Sequence, residues 1–205
     1  LGLYGNYAIA KNIDVDFQAD MGLNQNSENR SIDFMSTGAS ASYRSYTGHL
    51  GLGIQQTLPV NQSFNFIPSL RLDYASINAD SYQETGAGAL NLNVNGQTYQ
   101  ELMLSARIKG DYKLSDTLKV TANAGVGYNT LNNQTQITAS FAGGGNSFVT
   151  YGADVSPWLY TAGIGLVSFE KNGVEIERLI RTADMSASLE QTRRRHDAIV
   201  GTHAA

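Results

Sequence analysis

Apolar and polar residues alternate with a period of two along most of this chain. A strand with that period has one greasy face and one wet face. The first such stretch covers about 1–10. Leu1, Leu3, Gly5, Tyr7 and Ile9 share one face; Gly2, Tyr4, Asn6 and Ala8 share the other. The cleanest alternation follows over about 13–24. There Ile13, Val15, Phe17, Ala19, Met21 and Leu23 oppose Asp14, Asp16, Gln18, Asp20 and Gly22. Further strands are predicted over about 46–58, 64–74, 102–114, 118–128, 158–166 and 174–180, which makes eight; a ninth is placed near 185–192. Pro68 falls inside the fourth strand on its apolar side. Proline cannot donate to a ladder and is normally confined to edges and bulges, so a bulge is expected there.

The connections carry the second signal. Short turns are read at Lys11-Asn12, Pro59 to Gln62, Ser115-Asp116 and Lys171 to Gly173; the last contains Asn-Gly, a strong hairpin signal. Long connections are read over about 27–40, 77–98 and 130–156. Strict alternation of short and long places all short turns at one end of the sheet. Bacterial outer-membrane barrels have this plan, with tight periplasmic turns and long external loops. The predicted fold is therefore an all-β, antiparallel transmembrane β-barrel. Tyr4, Tyr7, Tyr74, Tyr112, Tyr128, Trp158 and Tyr160 fall near strand ends, where an aromatic girdle belongs. A soluble β-sandwich also alternates, but it need not gather its short turns at one end.

Composition agrees with strands in lipid. Charged residues make up 16% of the 205 positions, below the ~25% of soluble domains. Mean hydropathy is only −0.25, as expected where every second residue faces water. No run approaches the ~18 apolar residues of a membrane helix. Cysteine is absent, which removes disulfide scaffolds, Cys-ligated metals and thiol chemistry. A net charge of −4 argues against nucleic acid as a partner. No cofactor or metal is implied.

The polar faces hold the candidate chemistry. Asp14, Asp16, Asp20, His49, Arg71, Asp73, Arg107, Lys109 and Asp111 are predicted to line a wet lumen. The three carboxylates at 14, 16 and 20 have the spacing for acid chemistry or calcium. The reading preferred is that they face Arg71, Arg107 and Lys109 across the lumen and set its field. His49 is read as one polar lining residue among several. Gly143-Gly144-Gly145 lacks the Lys-Ser/Thr of a phosphate loop and is read as a flexible external loop. No Gly-x-Ser-x-Gly nucleophile motif occurs.

Four stretches resemble the C-terminal translocator domain of bacterial autotransporters, the type V secretion family. They are Leu1-Gly2-Leu3-Tyr4-Gly5, the segment from Tyr82 through Glu84-Thr85-Gly86-Ala87-Gly88-Ala89-Leu90 to Leu92, Gly125-Val126-Gly127-Tyr128-Asn129, and Ala139-Ser140-Phe141-Ala142-Gly143-Gly144-Gly145. The resemblance covers about 1–166, and even Pro68 has a counterpart in the family pattern. It implies a twelve-stranded barrel of which eight to nine strands are present here, over 1–192, incomplete at its N-terminal end. Residues 193–205 are read as an atypical tail that a shifted reading frame or a truncated gene would produce. The implied function is to anchor and export an N-terminal passenger through the bacterial outer membrane, without catalysis. The implied partners are outer-membrane lipid, the chain's own passenger and the barrel-assembly machinery, with the barrel a monomer. The alternatives are an outer-membrane barrel enzyme, a protease or lipase, and a small stand-alone structural barrel.

Overall fold

The computed structural model describes residues 1–132, 134–169 and 175–178. In chain order the strands are β1 (Gly2–Ala10), β2 (Ile13–Ile32), β3 (Thr37–Gln56), β4 (Leu58–Pro59), β5 (Phe64–Ala79), β6 (Tyr82–Gln83), β7 (Leu92–Val94), β8 (Gln97–Ser115), β9 (Leu118–Asn129), β10 (Gln136–Phe141), β11 (Phe148–Tyr151), β12 (Trp158–Phe169) and β13 (Glu175–Arg178). The main sheet runs β1-β2-β3-β5-β8-β9-β12-β13, with β4 paired to β5. Its pairings are antiparallel, and it curls as part of a barrel. Eight strands in sequence order match the alternation. The turn at 171–173 and the stretch 185–192 lie outside the described residues.

Register keeps like with like. One row across the sheet reads Gly5, Phe17, Leu52, Leu72, Leu104, Tyr128, Trp158. The next reads Asn6, Asp16, Gly53, Arg71, Ser105, Gly127, Leu159. A slip of one residue would mix the two faces, so the pattern itself fixes the pairing. The apolar face is the exposed one: Leu50 is 60% exposed, Leu70 56% and Ile108 51%. Among the described residues no large side chain is fully buried. Soluble monomers rarely expose apolar patches beyond a few hundred Å², and this face spans seven strands. Hydrocarbon is the solvent that suits it.

An aromatic cluster closes one end of that face. The Tyr128 and Trp158 rings meet edge to face at 4.8 Å, and Trp158 stacks on Tyr160 at 6.4 Å. Tyr4 does not join a girdle. It pairs with Gln18 and lies on the polar face, because its even position on β1 puts it there.

Two expectations are corrected and a third is refined. Pro68 makes no bulge. It pairs with Ile108 in an unbroken β5–β8 register, and the same register runs from Ser69–Gln55 to Phe66–Leu58 on its other side. The missing N–H is absorbed instead by a gap at Thr57, which separates β3 from β4. Pro68, Ala106 and Ala124 are small, and they help line a shallow apolar groove of about 640 Å³ on the apolar face.

Second, residues 27–40 are not a long loop. β2 and β3 are 20 residues each and meet at the 3-10 turn Asp33–Met35, with Ser36 at φ 47 closing it. At ~3.3 Å per residue the hairpin is about 66 Å long, while a bilayer takes ~9–11 residues of a tilted strand. The outer half projects beyond any membrane. One face is polar and the other mixes Asn26, Glu28 and Arg30 with Ala39, Ala41 and Tyr43, so it carries no apolar alternation to read.

Third, the connections over 77–98 and 130–156 hold structure of their own. β11, β10, β7 and β6 form a four-stranded sheet in that order. Its pairings join two separate loops, Ala139 to Val94 and Phe141 to Leu92. The tri-glycine segment is tied down rather than free. The Gly143 N–H donates to the Ala89 carbonyl at 2.9 Å, and a Cβ on Gly143 would strike Ala89.

Candidate functional site

Register brings the predicted polar residues together. All nine sit on one face of the main sheet. Three adjacent rows make the centre: Asp16–Gly53–Arg71, Gln18–Gly51–Asp73 and Asp20–His49–Ala75. In the first two rows the middle strand contributes only glycine. A Cβ on Gly53 would fall on the Asp16 carboxylate, and one on Gly51 on the Arg71 guanidinium. The glycines are thus a floor that lets β2 and β5 side chains meet over β3.

On that floor Arg71 donates to Asp16, to both oxygens of Asp73 at 2.9 Å, and to Gln18 at 3.3 Å. His49 stands between two carboxylates: Nδ1 lies 2.9 Å from Asp20 Oδ2, and Nε2 lies 3.0 Å from Asp73 Oδ1. An imidazolium satisfies both contacts, whereas a neutral ring donates to one alone. Gln18 closes the chain by donating to Asp20 at 3.1 Å. The result is a continuous ladder from Asp16 to Asp20, half-exposed along its length.

The pairing expected across the lumen is only partly formed. Asp16 meets Arg71, but along the wall and over one strand. Asp20 meets His49. Among the described residues Asp14 and Arg107 form no ion pair. Lys109 turns to Asp111 on its own strand at 3.3 Å, and Lys119 approaches the other oxygen at 3.4 Å. Asp111 is 7% exposed, and its Oδ1 accepts no well-aligned hydrogen bond, so Lys109 holds it by charge alone. The physical reason for the difference is range. Side chains on neighbouring strands are ~5 Å apart, and residues across a barrel are much further. The polar face is therefore divided: acid-rich over β2–β5, lysine-rich over β8–β9.

A second cluster was not anticipated. At the projecting end of β2, the Arg30 Nε and Nη2 donate to the two Glu84 oxygens at 2.9 and 2.5 Å. Nη2 also donates to the Leu90 carbonyl at 2.8 Å, and the Leu92 N–H donates to Glu84 at 2.7 Å. Glu84 is 2% exposed. Beside it the Tyr82 hydroxyl donates to Glu28 at 2.6 Å, and its ring stacks on Tyr43 at 4.5 Å. The Ser40–Thr85 bridge completes the seam. Glu28, Arg30, Ala39, Ala41 and Tyr43 occupy the polar-face positions of β2 and β3. The loop sheet therefore folds onto that face, at the outer rim.

Electrostatics of this seam follow from burial. Burial alone would raise the Glu84 carboxyl; the Arg30 hydrogen bonds and the Leu92 N–H outweigh it and hold the group below its usual range. Burial, then the Glu28 carboxylate, pushes the Tyr82 phenol well above its usual range. The signal for Glu28 and Arg30 was present in parity. They continue the even-numbered polar series of Asp14, Asp16 and Asp20. Among the described residues no group of three or more His, Cys, Asp or Glu could hold a metal ion.

Comparison with known proteins adds identity. The family described as Autotransporter beta-domain matches residues 1–172. No curated protein sequence matches. Among solved structures, the translocator domain of autotransporter NalP from Neisseria meningitidis is similar, with a TM-score of 0.62 and 21% identity. The match covers 84% of this chain and 56% of that one, so this chain spans about half the length of that relative. At that identity the likeness concerns the fold.

Proposed function

The chain belongs to the autotransporter β-domain family, and from that premise we propose that it is an outer-membrane translocator that anchors and exports a passenger. The observation that carries the reading is the pair of opposed faces. Leu, Ile, Val and aromatic side chains stand exposed on one side of strand after strand, and an ionic ladder occupies the other. Lipid takes the first face. The second lines a hydrated pore, where Asp16, Arg71, Asp73, His49 and Asp20 keep water in and set the local field. Strand pairing satisfies backbone groups that hydrocarbon cannot. The β2–β3 projection and the loop sheet form the external rim. Translocator domains are generally not enzymes, and transport here needs no chemical step. Partners in this reading are outer-membrane lipid, the passenger and the assembly machinery, and the barrel acts as a monomer.

The absence of cysteine makes the test clean. Phe34→Cys sits on the projecting turn and Asn61→Cys in a short turn at the other end. In intact cells a membrane-impermeant maleimide should label the first, and label the second only after permeabilisation. A reporter fused ahead of Leu1 should become accessible to external protease. Labelling of both sites in intact cells, or a reporter that stays protected, would overturn the proposal.

A further inference from the structure

One residue breaks the charge segregation of the barrel wall. Over β1, β2, β3, β5, β8, β9 and β12, every charged side chain but one occupies a polar-face position. The exception is Arg44. It is exposed, pairs in register with Gln25, and shares its face with Tyr46, Leu50 and Leu52. Asp80 is its neighbour on the other side, donating its backbone N–H to the Arg44 carbonyl at 2.9 Å. The Arg44 guanidinium forms no ion pair among the described residues.

Its height on β3 is informative. From the short-turn end outward, the apolar face of β3 reads Ile54, Leu52, Leu50, Gly48, Tyr46, Arg44, Ser42, Ser40. That is the order of groups in an outer leaflet: hydrocarbon, amphipathic interface, phosphate, sugar. Arg44 lies about 7 Å beyond Tyr46 along the strand. Cations are costly in hydrocarbon and well placed at the interface.

Beyond Arg44 the same face is rich in hydrogen-bonding groups, and at its far end the Ser31 hydroxyl donates to the Asp33 carboxylate at 2.6 Å. Gln25, Ser27, Asn29 and Ser31 on β2 run beside Ser42, Ser40 and Gly38 on β3. At the far end, Asn29, Ser31, Ser36, Gly38, Ser40 and Thr85 help line a polar cleft of about 720 Å³. From Arg44 to Gly38 this lane is about 20 Å long. A glycerophospholipid headgroup is far shorter, whereas a chain of sugars fits it.

We propose that the outward face of the β2–β3 projection is a binding site for a phosphorylated glycolipid of the outer leaflet. Arg44 takes a phosphate through its planar fork. The amide and hydroxyl lane takes the saccharide. This rests on the outer-membrane reading given above.

The test uses the folded protein in detergent, with purified lipopolysaccharide as the probe. Bound glycolipid is quantified after washing, and folding is read from heat-modifiable gel migration. Arg44→Gln should lower retention about tenfold, the loss of one charge-assisted contact. Arg44→Lys should keep most of it. Lys11→Gln, at the opposite end, should leave it unchanged. Ser42→Glu places a carboxylate beside an intact Arg44 and should also lower retention several-fold. Dephosphorylated lipopolysaccharide should bind the unaltered protein as weakly as the intact glycolipid binds Arg44→Gln. Equal retention by Arg44→Gln or Ser42→Glu overturns the site, as does equal binding of the dephosphorylated form. Displacement by inorganic phosphate as effective as by glycolipid overturns it in favour of a free-anion site. A chain that shows no heat-modifiable barrel sinks the membrane reading and this site with it. A folded barrel that fails to discriminate sinks this site alone.

Discussion

Two arginine–carboxylate clusters in this protein use the same chemistry in opposite surroundings. Arg71 lies on the barrel wall with Asp16 and Asp73, the side chains 29%, 39% and 23% exposed. Arg30 and Glu84, at the projecting end of β2, are 17% and 2% exposed. Arg71 has several interchangeable acceptors. Glu84 has one cation and one backbone donor, and its side chain is almost wholly buried. Exposed pairs are worth little because water and salt compete for each partner. A buried pair is different: removing one partner strands the other, uncompensated. The wall ladder should therefore tune the pore without holding the fold. The rim pair should hold a structure together.

The largest way to break that comparison is Glu84→Ala. It should destabilise the loop sheet by about 3–5 kcal/mol, since it leaves the Arg30 guanidinium without its counter-charge and the Leu92 N–H without its carboxylate acceptor. Hydrogen exchange at the β7 amides, Leu92–Val94, measures it; unchanged exchange would mean the rim pair is dispensable.

Acid tests the same contact without mutation. The folded Glu84 carboxyl is held below its ordinary value. Its contribution is complete above the unfolded value of ~4.3 and is lost as pH falls through the lower folded value. The loop sheet should thus stay protease-resistant at neutral pH and become sensitive well below pH ~4, ahead of the barrel wall. Resistance throughout would contradict the direction of the shift.

Glycine supplies a sharper probe of the wall. Gly53→Val fills the floor between Asp16 and Arg71 and should cost about 1–3 kcal/mol, a typical overpacking effect. Heat-modifiable migration reports it as a lowered transition. Arg71→Gln should cost only about 1 kcal/mol, yet it removes a cation from an acid-rich wall. Reversal potentials in planar bilayers should shift towards cation selectivity; an unchanged potential would remove this wall from the pore. The smallest effect is expected at the short turn after β8. Lys113 and Asp116 pair at 2.7 Å, with Asp116 95% exposed, and Asp116→Asn should leave thermal stability unchanged.

Much of the barrel wall was legible in the chain because a single periodicity encodes it. Each wall strand from Ile13 to Leu166 declares its apolar side over its inner part, and matching faces then leaves one register. The short turn at Lys11-Asn12 was also local, with Asn12 at φ 65. What failed was non-local. The run 27–40 looks like a loop because alternation stops there: one face turns polar and the other mixes charges with the buried Ala39 and Ala41. Yet the ladder continues from Ser27–Ser42 to Ile32–Thr37. Glu28 and Arg30 kept the polar parity, but nothing near them names Tyr82 and Glu84 as partners.

The sequence by itself determined the all-β class, the two faces, the direction of the turns and the nine polar residues that share one side. Period-two patterning is a property of adjacent residues, and the partition between water and hydrocarbon acts on each strand separately. The tertiary structure alone decided which charges meet. It set Arg71 over two glycines of β3, left Arg107 unpaired among the described residues, and drew Glu84 onto Arg30 across 54 residues. Ion pairs form over a few ångströms, and distances that short depend on register between strands and on loops folding back, neither of which a local pattern records.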